Sequence, residues 1–397
     1  ELAVMGLVEL IKNNVPKCLN DVDLKNLDMY VYHSADYTLL ETTLNPFWTW
    51  YASLFPDTMA PNMITLLGFI INIVASFIVL YNDPLLLGQA PRWSYILAGF
   101  ALITYLNFDS ADGKQARRLH ASSPLGQLFD HGCDAVNEVF ILLVLASACG
   151  TGYTYHTCDV MIIQCLGFSL AQILEYHIDI LVVGNKFFGT TESIILLSFV
   201  YMLTGLIGVD RVRTKFSEIL PFKLPFDMPI IEFVILLTNI GMILTILNLF
   251  IGAWIEESKI PQNERGNKNL ERKDFLQQII PSVGNALCAT RLMIFTPLMQ
   301  QHPFLLYFFC GLTNSFLSTH VNVHHLCRRR MDWRFVGFYN MLILTLNSYL
   351  NIVNQEVLLV VCFVVLLVMY AWFVLTIIDE IKNHLGIYAL HLTPKKD

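Results

Sequence analysis

The sequence has 397 residues, a net charge of −7 and a mean hydropathy of +0.54, and apolar types make up 55% of it. Lys, Arg, Asp and Glu together reach only 14%, against about 25% in an average soluble domain. This number of charged residues is too small to cover the surface of a soluble globule of this size. Most of the chain must therefore be solvated by lipid. The composition excludes a disordered chain and a binder of nucleic acid polymers. The nine cysteines are an odd number and stand largely in apolar runs, so we expect reduced thiols and no disulfide scaffold.

The N-terminal region precedes the first predicted membrane span. It lacks a signal-peptide pattern, so we expect the start at Glu1 to be a trimmed terminus. The stretch from Asn45 to Tyr51 holds four aromatic residues but is too short to cross a bilayer. Because aromatic rings favour the headgroup level, this stretch predicts an amphipathic helix lying at the membrane interface, with a buried packing helix as the alternative.

Ten charge-poor segments follow, and a helix of each could cross a hydrocarbon core of about 30 Å. The predicted spans are Asn62–Tyr81, Trp93–Phe108, Asp130–Gly150, Val160–Val183 with Glu175 and Asp179 inside, Ser193–Val209, Phe233–Ile255, 276–296, 304–323, Phe335–Gln355 and Val357–Ile378. Lipid leaves no backbone group unpaired, so we predict an all-α polytopic integral membrane protein with about ten transmembrane helices. We predict one domain over 1–397, with an interfacial N-terminal segment 1–58, catalytic helices in 59–210 and additional helices in 226–381.

Lys and Arg are enriched in cytosolic loops, and their positions predict a cytosolic N-terminus. The connections on that side carry Lys12, Lys17, Lys114, Arg117, Arg118, Lys186, Arg265, Lys268 and Arg328–Arg330. The one exception on the opposite side is the connection with Arg211, Arg213, Lys215 and Lys223.

The second and third predicted spans meet in a segment rich in aspartate. Asp109 and Asp112 are three residues apart at the predicted end of one helix, and Asp130 and Asp134 are four apart at the start of the next, so each pair shares a helix face. A short linker brings the two faces together, which predicts four carboxylates converging near the cytosolic boundary. Solvated helix ends are the alternative, but the helix dipole disfavours Asp109 and Asp112 at a C-terminal end.

Four anions this close repel one another unless cations or protons neutralise them. Hard oxygen ligands indicate Mg²⁺, Mn²⁺ or Ca²⁺, and a pair of such ions suits transfer of a phosphoryl-type group. Gly113, Ala116 and Gly126 lack bulky side chains, so a nucleotide could approach the backbone closely there. Arg117 can meet a phosphate with its planar guanidinium.

The pattern D-x2-D-G-x2-A-R-x8-G-x3-D-x3-D, from Asp109 to Asp134, resembles the signature of the CDP-alcohol phosphotransferases at every fixed position. Further stretches are similar to the eukaryotic choline/ethanolamine phosphotransferases, namely 113–118, 123–126, 128–134, Thr38–Glu41 and Ala60–Thr65. The resemblance implies transfer of phosphocholine or phosphoethanolamine from CDP-choline or CDP-ethanolamine to diacylglycerol, which makes phosphatidylcholine or phosphatidylethanolamine and releases CMP. It also implies a homodimer in the endoplasmic reticulum or Golgi membrane, with the active site facing the cytosol.

The resemblance further implies a metal site and a nucleotide site. Two Mg²⁺ ions, or Mn²⁺ in their place, would be held on the pyrophosphate of the donor by Asp109, Asp112, Asp130 and Asp134. The CDP group would be bound by Asn62, Gly113, Lys114, Ala116, Arg117 and Gly126. The family usually has Glu at the position of Gln127, so a carboxylate role at that position cannot operate here.

The acceptor hydroxyl needs a base as it attacks phosphorus. His131 stands between two predicted metal ligands, and a histidine can act as a base at neutral pH. In the family such a His, together with a Glu at the start of the fifth span, looks like the deprotonating pair, and that Glu would be Glu192. Asp134 is the rival base, since more distant members appear to use the fourth Asp.

Ionisable residues inside a span usually face a cavity or a partner. Glu175, Tyr176 and Asp179 are candidates for contact with the alcohol headgroup or the lipid hydroxyl, because a quaternary ammonium favours aromatic faces and carboxylates. The alternative is that neighbouring helices satisfy these side chains. Arg291 could then be their counter-ion, or could reach to the membrane surface instead.

Two other functions are compatible with parts of the sequence. A CDP-alcohol phosphotransferase could use another acceptor, such as inositol or glycerol phosphate, but those branches tend to have fewer spans. A cation transporter could use the aspartate cluster as its ion site. Transporters commonly bind ions near the midplane on interrupted helices, whereas the aspartates here stand beside Gly and Arg at predicted helix ends.

Overall fold

A computed structural model describes residues 17–33, 38–182, 184, 186–219, 228–255, 272–331 and 335–392. Six residues named in the predictions above lie outside these ranges, namely Glu1, Lys12, Val183, Lys223, Arg265 and Lys268.

The regular elements in the described part of the chain are helices, accompanied by isolated β-bridges at Gly184–Gly189 and Lys215–Pro229. In chain order they are α1 Asp21–Leu27, α2 Leu39–Ser53, α3 Pro61–Asn82, α4 Arg92–Arg118, α5 Pro124–Cys149, α6 Tyr155–Ile178, α7 Thr190–Ile207, α8 Val209–Val212, α9 Phe216–Ile219, α10 Ile230–Ile255, α11 Arg272–Gln278, α12 Ile280–Ile294, α13 Leu298–Gln301, α14 Pro303–Leu326, α15 Val336–Leu350 and α16 Gln355–Leu385. All nine cysteines are free thiols, as predicted.

Six of the described helices are long and apolar enough to cross a membrane, and they are α3, α5, α6, α7, α14 and α16. The other predicted spans overlap α4, α10, α12 and α15, and the predicted span 276–296 also includes the end of α11. Helix α4 has 27 residues but carries several charges near its C-terminal end, and α12 and α15 have 15 residues each. The predicted class, an all-α polytopic membrane protein, is confirmed.

Helix α5 shows how local sequence sets its bounds. It begins after Ser123, whose Oγ accepts a hydrogen bond from the Gly126 amide at 3.2 Å, and Pro124 occupies its first turn. It ends at Gly150, which has a φ of 62°. Glycine adopts this left-handed conformation without a steric penalty, so the predicted helix end at Gly150 is confirmed.

Helix α4 extends beyond its predicted end at Phe108 and places Asp109 and Asp112 inside the helix. Tertiary contacts hold the added turns. The buried Gln115 side chain donates to the carbonyls of Pro56 and Met59, both at 3.1 Å. Arg118 donates to the Gln115 side chain at 2.7 Å and pairs with Asp57 at 3.0 Å. The expectation that the two aspartates stand at a helix end is therefore wrong.

Helix α6 ends earlier than predicted, at Ile178. Asp179 is its C-cap residue, with a φ of 58°, whereas Glu175 lies within the helix. Asp and Asn tolerate this conformation better than most residues because their short polar side chains bond locally. Asp179 is thus outside the span that was predicted to contain it.

Helix α2 contains the aromatic stretch that predicted an interfacial helix. Trp48 and Ala52 are buried, and the Trp48 Nε1 donates to Asn107 Oδ1 of α4 at 3.0 Å. Phe47 and Trp50 are exposed. One face of α2 therefore docks on α4, and the exposed aromatic face suits the predicted position at the membrane interface.

Helix α14 lies at the centre of the bundle, and 89% of its apolar 18-residue stretch is buried. Its Ser315 Oγ donates to the Ala135 carbonyl of α5 at 2.6 Å. Its Asn314 side chain donates to the Cys165 carbonyl of α6 at 3.0 Å. Helices α5, α6 and α14 thus form a core held by hydrogen bonds between side chains and backbone.

Helices α4 and α7 approach each other closely through glycines. A Cβ built on Gly99 would lie 2.8 Å from the Ser198 carbonyl oxygen, and one built on Gly205 would lie 2.7 Å from the Arg92 carbonyl oxygen. Backbone atoms cannot yield as a flexible side chain can. Glycine is therefore needed at both positions for the close approach of this helix pair.

We expect Gly205→Ala to lower the free energy of unfolding by about 1–3 kcal/mol, because the added methyl overpacks the contact with α4. The matched control is Gly241→Ala in α10, where a built Cβ meets no atom within 4 Å. That change should leave stability unchanged or raise it, since alanine is the better helix former. Thermal unfolding in detergent measures both. Equal melting temperatures for the two variants would contradict the close packing of α4 and α7.

Candidate active site

The carboxylates of Asp109, Asp112 and Asp130 converge between α4 and α5. One ligand oxygen from each lies within 4.8 Å of the other two. Asp109 Oδ1 and Asp130 Oδ1 are buried and have no hydrogen-bond partner. Buried carboxylate oxygens that face one another without donors fit a divalent cation, which takes several such oxygens as ligands. Three of the four predicted aspartates are thus brought together.

Two buried hydroxyl groups hold aspartates of this segment. Thr65 on α3 donates a hydrogen bond to Asp112 Oδ2, and Tyr105 on α4 donates one to Asp134 Oδ1. Asp134 lies outside the set of three whose oxygens approach within 4.8 Å. One oxygen of Asp134 is therefore engaged with a protein hydroxyl, and its position differs from that of the other three.

The glycines predicted for nucleotide binding lie beside the polar residues predicted with them. A Cβ built on Gly113 would lie 3.5 Å from the Arg117 guanidinium, and one built on Gly126 would lie 3.6 Å from Asn62 Oδ1. These are ordinary contact distances, so protein packing does not require glycine at either position. Ala116 is half-buried and Arg117 is exposed.

The predicted phosphate-binding cations differ in their surroundings. Lys114 Nζ donates to Asn45 Oδ1 of α2, so this side chain is tied to the interfacial helix. The Asn62 side chain donates to the Ala389 carbonyl at 2.9 Å and thereby connects the start of α3 with the segment after α16. Arg117 is the exposed cation next to the aspartates.

His131 is buried on α5, where side chains of α6 face its Nδ1. Gln172 Nε2 is 3.2 Å from this atom and Glu175 Oε2 is 3.8 Å from it. Gln127, one turn before His131, donates its Nε2 to Glu175 Oε1 at 2.8 Å. Gln127 has no carboxylate, but it belongs to the surroundings of His131.

Glu175, Tyr176 and Asp179 contact α14 and the segment that follows it. Glu175 Oε1 is 3.8 Å from Nε2 of His325 on α14, and Asp179 Oδ1 is 3.7 Å from Nδ1 of the same ring. The buried Tyr176 hydroxyl donates to the Arg329 carbonyl at 2.9 Å and accepts from the Met331 amide at 2.8 Å. These contacts favour the alternative in which neighbouring helices satisfy the three side chains.

Arg291 donates to the carbonyls of Phe295 and Ser348 at 2.7 and 3.1 Å, and its guanidinium lies 4.2 Å from the ring centre of Tyr349. These groups stand at the C-terminal ends of α12 and α15. The contacts fit a side chain that reaches toward the membrane surface, and not the counter-ion role.

Glu192 caps the first turn of α7. Its Oε2 accepts a hydrogen bond from the Gly189 amide at 2.8 Å, while its Oε1 is buried without a hydrogen-bond partner. The preceding Thr191 donates to Glu41 Oε1 at 2.9 Å, which ties α7 to the start of α2. One oxygen of Glu192 thus remains available for a further donor.

Three residues of the site were missed from sequence, namely Thr65, Tyr105 and Gln172. Helical spacing contained a signal for two of them. Tyr105 stands four residues before Asp109, and Gln172 stands three residues before Glu175, so each shares a face with a predicted residue. Thr65 is on a different helix from its partner Asp112, and only tertiary structure joins them.

Comparison with known proteins gives consistent matches. The sequence model of the family described as CDP-alcohol phosphatidyltransferase matches residues 58–254, which include the aspartate cluster. Cholinephosphotransferase 1 of Danio rerio is 28% identical over 389 residues, covering 96% of this chain and 97% of that protein. Choline/ethanolaminephosphotransferase 1 of Saccharomyces cerevisiae is 30% identical over 315 residues, covering 78% and 79%. The protein of that name in Arabidopsis thaliana is 28% identical over 390 residues, covering 93% and 97%. The chain belongs to the CDP-alcohol phosphatidyltransferase family.

Proposed function

We propose that the protein transfers phosphocholine or phosphoethanolamine from CDP-choline or CDP-ethanolamine to the free hydroxyl of 1,2-diacylglycerol, releasing CMP. The observation that carries this proposal is the convergence of Asp109, Asp112 and Asp130 on the helix that also carries Gly113 and the exposed Arg117 and on the helix that follows it. Relatives whose names describe such transfers align with nearly the whole chain. The similarity is therefore not confined to one fragment, which supports a shared reaction. The products are phosphatidylcholine and phosphatidylethanolamine.

Asp109, Asp112 and Asp130, together with Asp134, would hold two Mg²⁺ ions, or Mn²⁺ in their place. The unpartnered buried oxygens of Asp109 and Asp130 support this assignment. When bound, such ions offset the negative charge of a diphosphate and make its phosphorus more open to attack. Thr65 fixes the orientation of Asp112, and Tyr105 fixes that of Asp134.

The reaction forms one phosphorus–oxygen bond and breaks another. The diacylglycerol oxygen attacks the phosphorus that carries the choline or ethanolamine ester, and CMP leaves with the electron pair of the bond to its bridging oxygen. Arg117 and Lys114 bind the phosphate oxygens of the donor, and Asn62, Ala116 and Gly126 line the nucleotide site. These residues orient the leaving group opposite the attacking hydroxyl.

The hydroxyl proton passes to His131 at Nε2, which requires that the ring carries its other proton on Nδ1, where Glu175 Oε2 lies 3.8 Å away as an acceptor. Glu192 assists through its unpartnered Oε1. Asp134 is the rival base, but one of its oxygens already accepts the Tyr105 hydroxyl. The contacts of His131 therefore favour it for this role.

We further propose that the site faces the cytosol, in the endoplasmic reticulum or Golgi membrane, and that the protein forms a homodimer. The donor is water-soluble and arrives from the cytosol, whereas diacylglycerol arrives laterally from the leaflet. The cations beside the aspartates support this orientation, since Lys114, Arg117 and Arg118 share that end of α4.

Purified protein in lipid nanodiscs with Mg²⁺, diacylglycerol and either CDP-choline or CDP-ethanolamine tests the assignment. We expect CMP release matched by phospholipid formation, and loss of both on chelation of the metal. Parallel reactions with inositol or glycerol phosphate as the acceptor test the acceptor class. CMP release with those acceptors alone would assign the enzyme to a branch of the family with another acceptor. No CMP release with any acceptor would refute the proposed reaction.

Arg117→Ala should raise the KM for the CDP donor about tenfold to a hundredfold, because a hydrogen bond to a charged phosphate contributes about 1.5–3 kcal/mol. Steady-state kinetics with varied donor concentration measure this change. Arg211→Ala, at an exposed residue of α8, is the matched control and should leave the KM unchanged. A normal donor KM in Arg117→Ala would remove this residue from the phosphate site.

A further inference from the structure

Glu175 lies between two histidines that belong to different helices. Its carboxylate oxygens are 3.8 Å from Nδ1 of His131 on α5 and 3.8 Å from Nε2 of His325 on α14. The residue is only 2% exposed. A carboxylate enclosed in a membrane protein is costly without polar partners, so its contacts with two other helices mark it as functional or as a specific structural link.

Gln127 anchors one side of this carboxylate. Its Nε2 donates to Glu175 Oε1 at 2.8 Å, and Gln127 is itself buried. His325 faces the same oxygen and also approaches Asp179 Oδ1 at 3.7 Å. Gln127 and His325 both lie on the side of Oε1, whereas the other oxygen, Oε2, lies 3.8 Å from His131 Nδ1.

Gln172 and Glu175 act on the same edge of the His131 ring. They are three residues apart on α6 and so share one helix face. Gln172 Nε2 lies 3.2 Å from His131 Nδ1, and Glu175 Oε2 lies 3.8 Å from it. Both side chains therefore approach the Nδ1 edge, which leaves the opposite ring nitrogen, Nε2, for a substrate hydroxyl.

We infer that Glu175 is a positioning residue for His131. Gln127 and His325 anchor its carboxylate, and the carboxylate holds the His131 imidazole so that Nε2 is directed to the acceptor hydroxyl. This inference rests on the proposed function, because Glu175 acts through the base of that reaction. The separation of 3.8 Å is longer than a hydrogen bond. Such contacts between catalytic side chains commonly shorten when the substrate is bound, so Nδ1–H can then donate to Oε2. Because an amide nitrogen only donates, Gln172 would then present its unpartnered Oε1 to Nδ1–H in place of its Nε2.

Glu175→Gln tests the inference because it keeps the size of the side chain and removes its charge. We expect kcat to fall about tenfold to a hundredfold, as for other residues that orient a catalytic side chain. The donor KM should stay within about threefold of the original, since Glu175 does not touch the nucleotide in this account. Glu175→Asp, which keeps a carboxylate at a greater distance, should recover part of the lost rate.

Glu356→Gln is the matched control. Glu356 Oε2 also pairs with a histidine, His302, at 3.0 Å. This pair stands at the start of α16, whereas the segment that contacts Asn62 follows the other end of that helix. We expect its kcat to remain within about twofold of the original, because the pair makes no contact with His131 in this account. A comparable loss in both variants would indicate a general effect of removing a Glu–His pair.

A double-mutant cycle separates positioning from a structural role. In a His131→Ala background Glu175→Gln should cause less than about a twofold further loss, because the residue through which it acts is gone. The same fold-loss in both backgrounds, a parallel loss of donor binding, or an unchanged kcat in the single variant would each overturn the inference. Failure of the unaltered protein to release CMP would instead refute the proposed function.

Discussion

Asp130→Asn should abolish turnover, lowering kcat/KM by about a thousandfold or more, which corresponds to about 4 kcal/mol of transition-state stabilisation. The reason is the geometry of the cluster. Asp130 comes from α5 and meets Asp109 and Asp112 from α4 within 4.8 Å, so its loss removes the ligand that joins the two helices at the ion site. An amide is uncharged and offers one oxygen, so the site retains too little negative charge for two divalent ions.

The measurement is CMP release as Mg²⁺ is titrated. For Asp130→Asn we expect residual activity that no longer responds to Mg²⁺ over the range that activates the original protein. Asp210→Asn, at an exposed position on α8, is the control for the chemical change and should behave as the original. Activity and metal response both retained in Asp130→Asn would remove Asp130 from the ligand set.

His131→Ala should lower kcat by about a hundredfold to ten-thousandfold, the usual contribution of a general base, while the affinity for the CDP donor stays nearly unchanged. His131 lies next to Asp130 in the chain, but its Nδ1 faces Gln172 and Glu175 on α6 and not the aspartates. Its removal should therefore leave the ion and nucleotide sites intact.

Binding of CDP-choline in the presence of Mg²⁺, measured by calorimetry, accompanies the kinetics. Asp134→Asn provides the contrast, since a residue that acts as a metal ligand should lose donor affinity along with rate. A rate close to the original in His131→Ala would favour Asp134 as the base. Loss of donor binding in His131→Ala would show that the imidazole has a structural role.

The membrane fold is largely readable from the sequence because lipid imposes one strong condition, a long apolar helix, on each span. Gly150 shows that local chemistry also predicted a helix end, since a left-handed residue is needed there. The end of α4 was mispredicted because hydropathy falls at Asp109, whereas the helix is extended by tertiary contacts. Gln115 and Arg118 bond to the loop before α3, and no local pattern reveals that loop as their partner.

The convergence of the aspartates was predictable from their spacing in the sequence. Its members recur at helical spacings across a short linker, so their convergence follows from local geometry. Asp134 departs from the other three because of a hydroxyl on a neighbouring helix, that of Tyr105. The surroundings of His131 were not predictable, since Gln127, Gln172 and Glu175 meet only when α5 and α6 pack together.

Three consecutive long helices, α3, α4 and α5, supply Thr65, Asp109 and Asp130, so the proposed ion site would stand on rigid elements. Helix α6 supplies the residues behind His131, and the buried α14 holds α6 in place through Asn314. The proposed ion site and the proposed base, His131, are thus held by different helices. This arrangement explains why we expect their variants to fail in different ways, one in metal response and the other in kcat alone.

Anomalous scattering from Mn²⁺, in crystals of the protein grown with CDP-choline, tests the central claim most directly. The account predicts anomalous peaks bonded to carboxylate oxygens of Asp109, Asp112 and Asp130, with the diphosphate of the nucleotide against the same ions and Arg117 on its oxygens. Peaks that avoid these carboxylates, or a nucleotide bound away from α4 and α5, would contradict it.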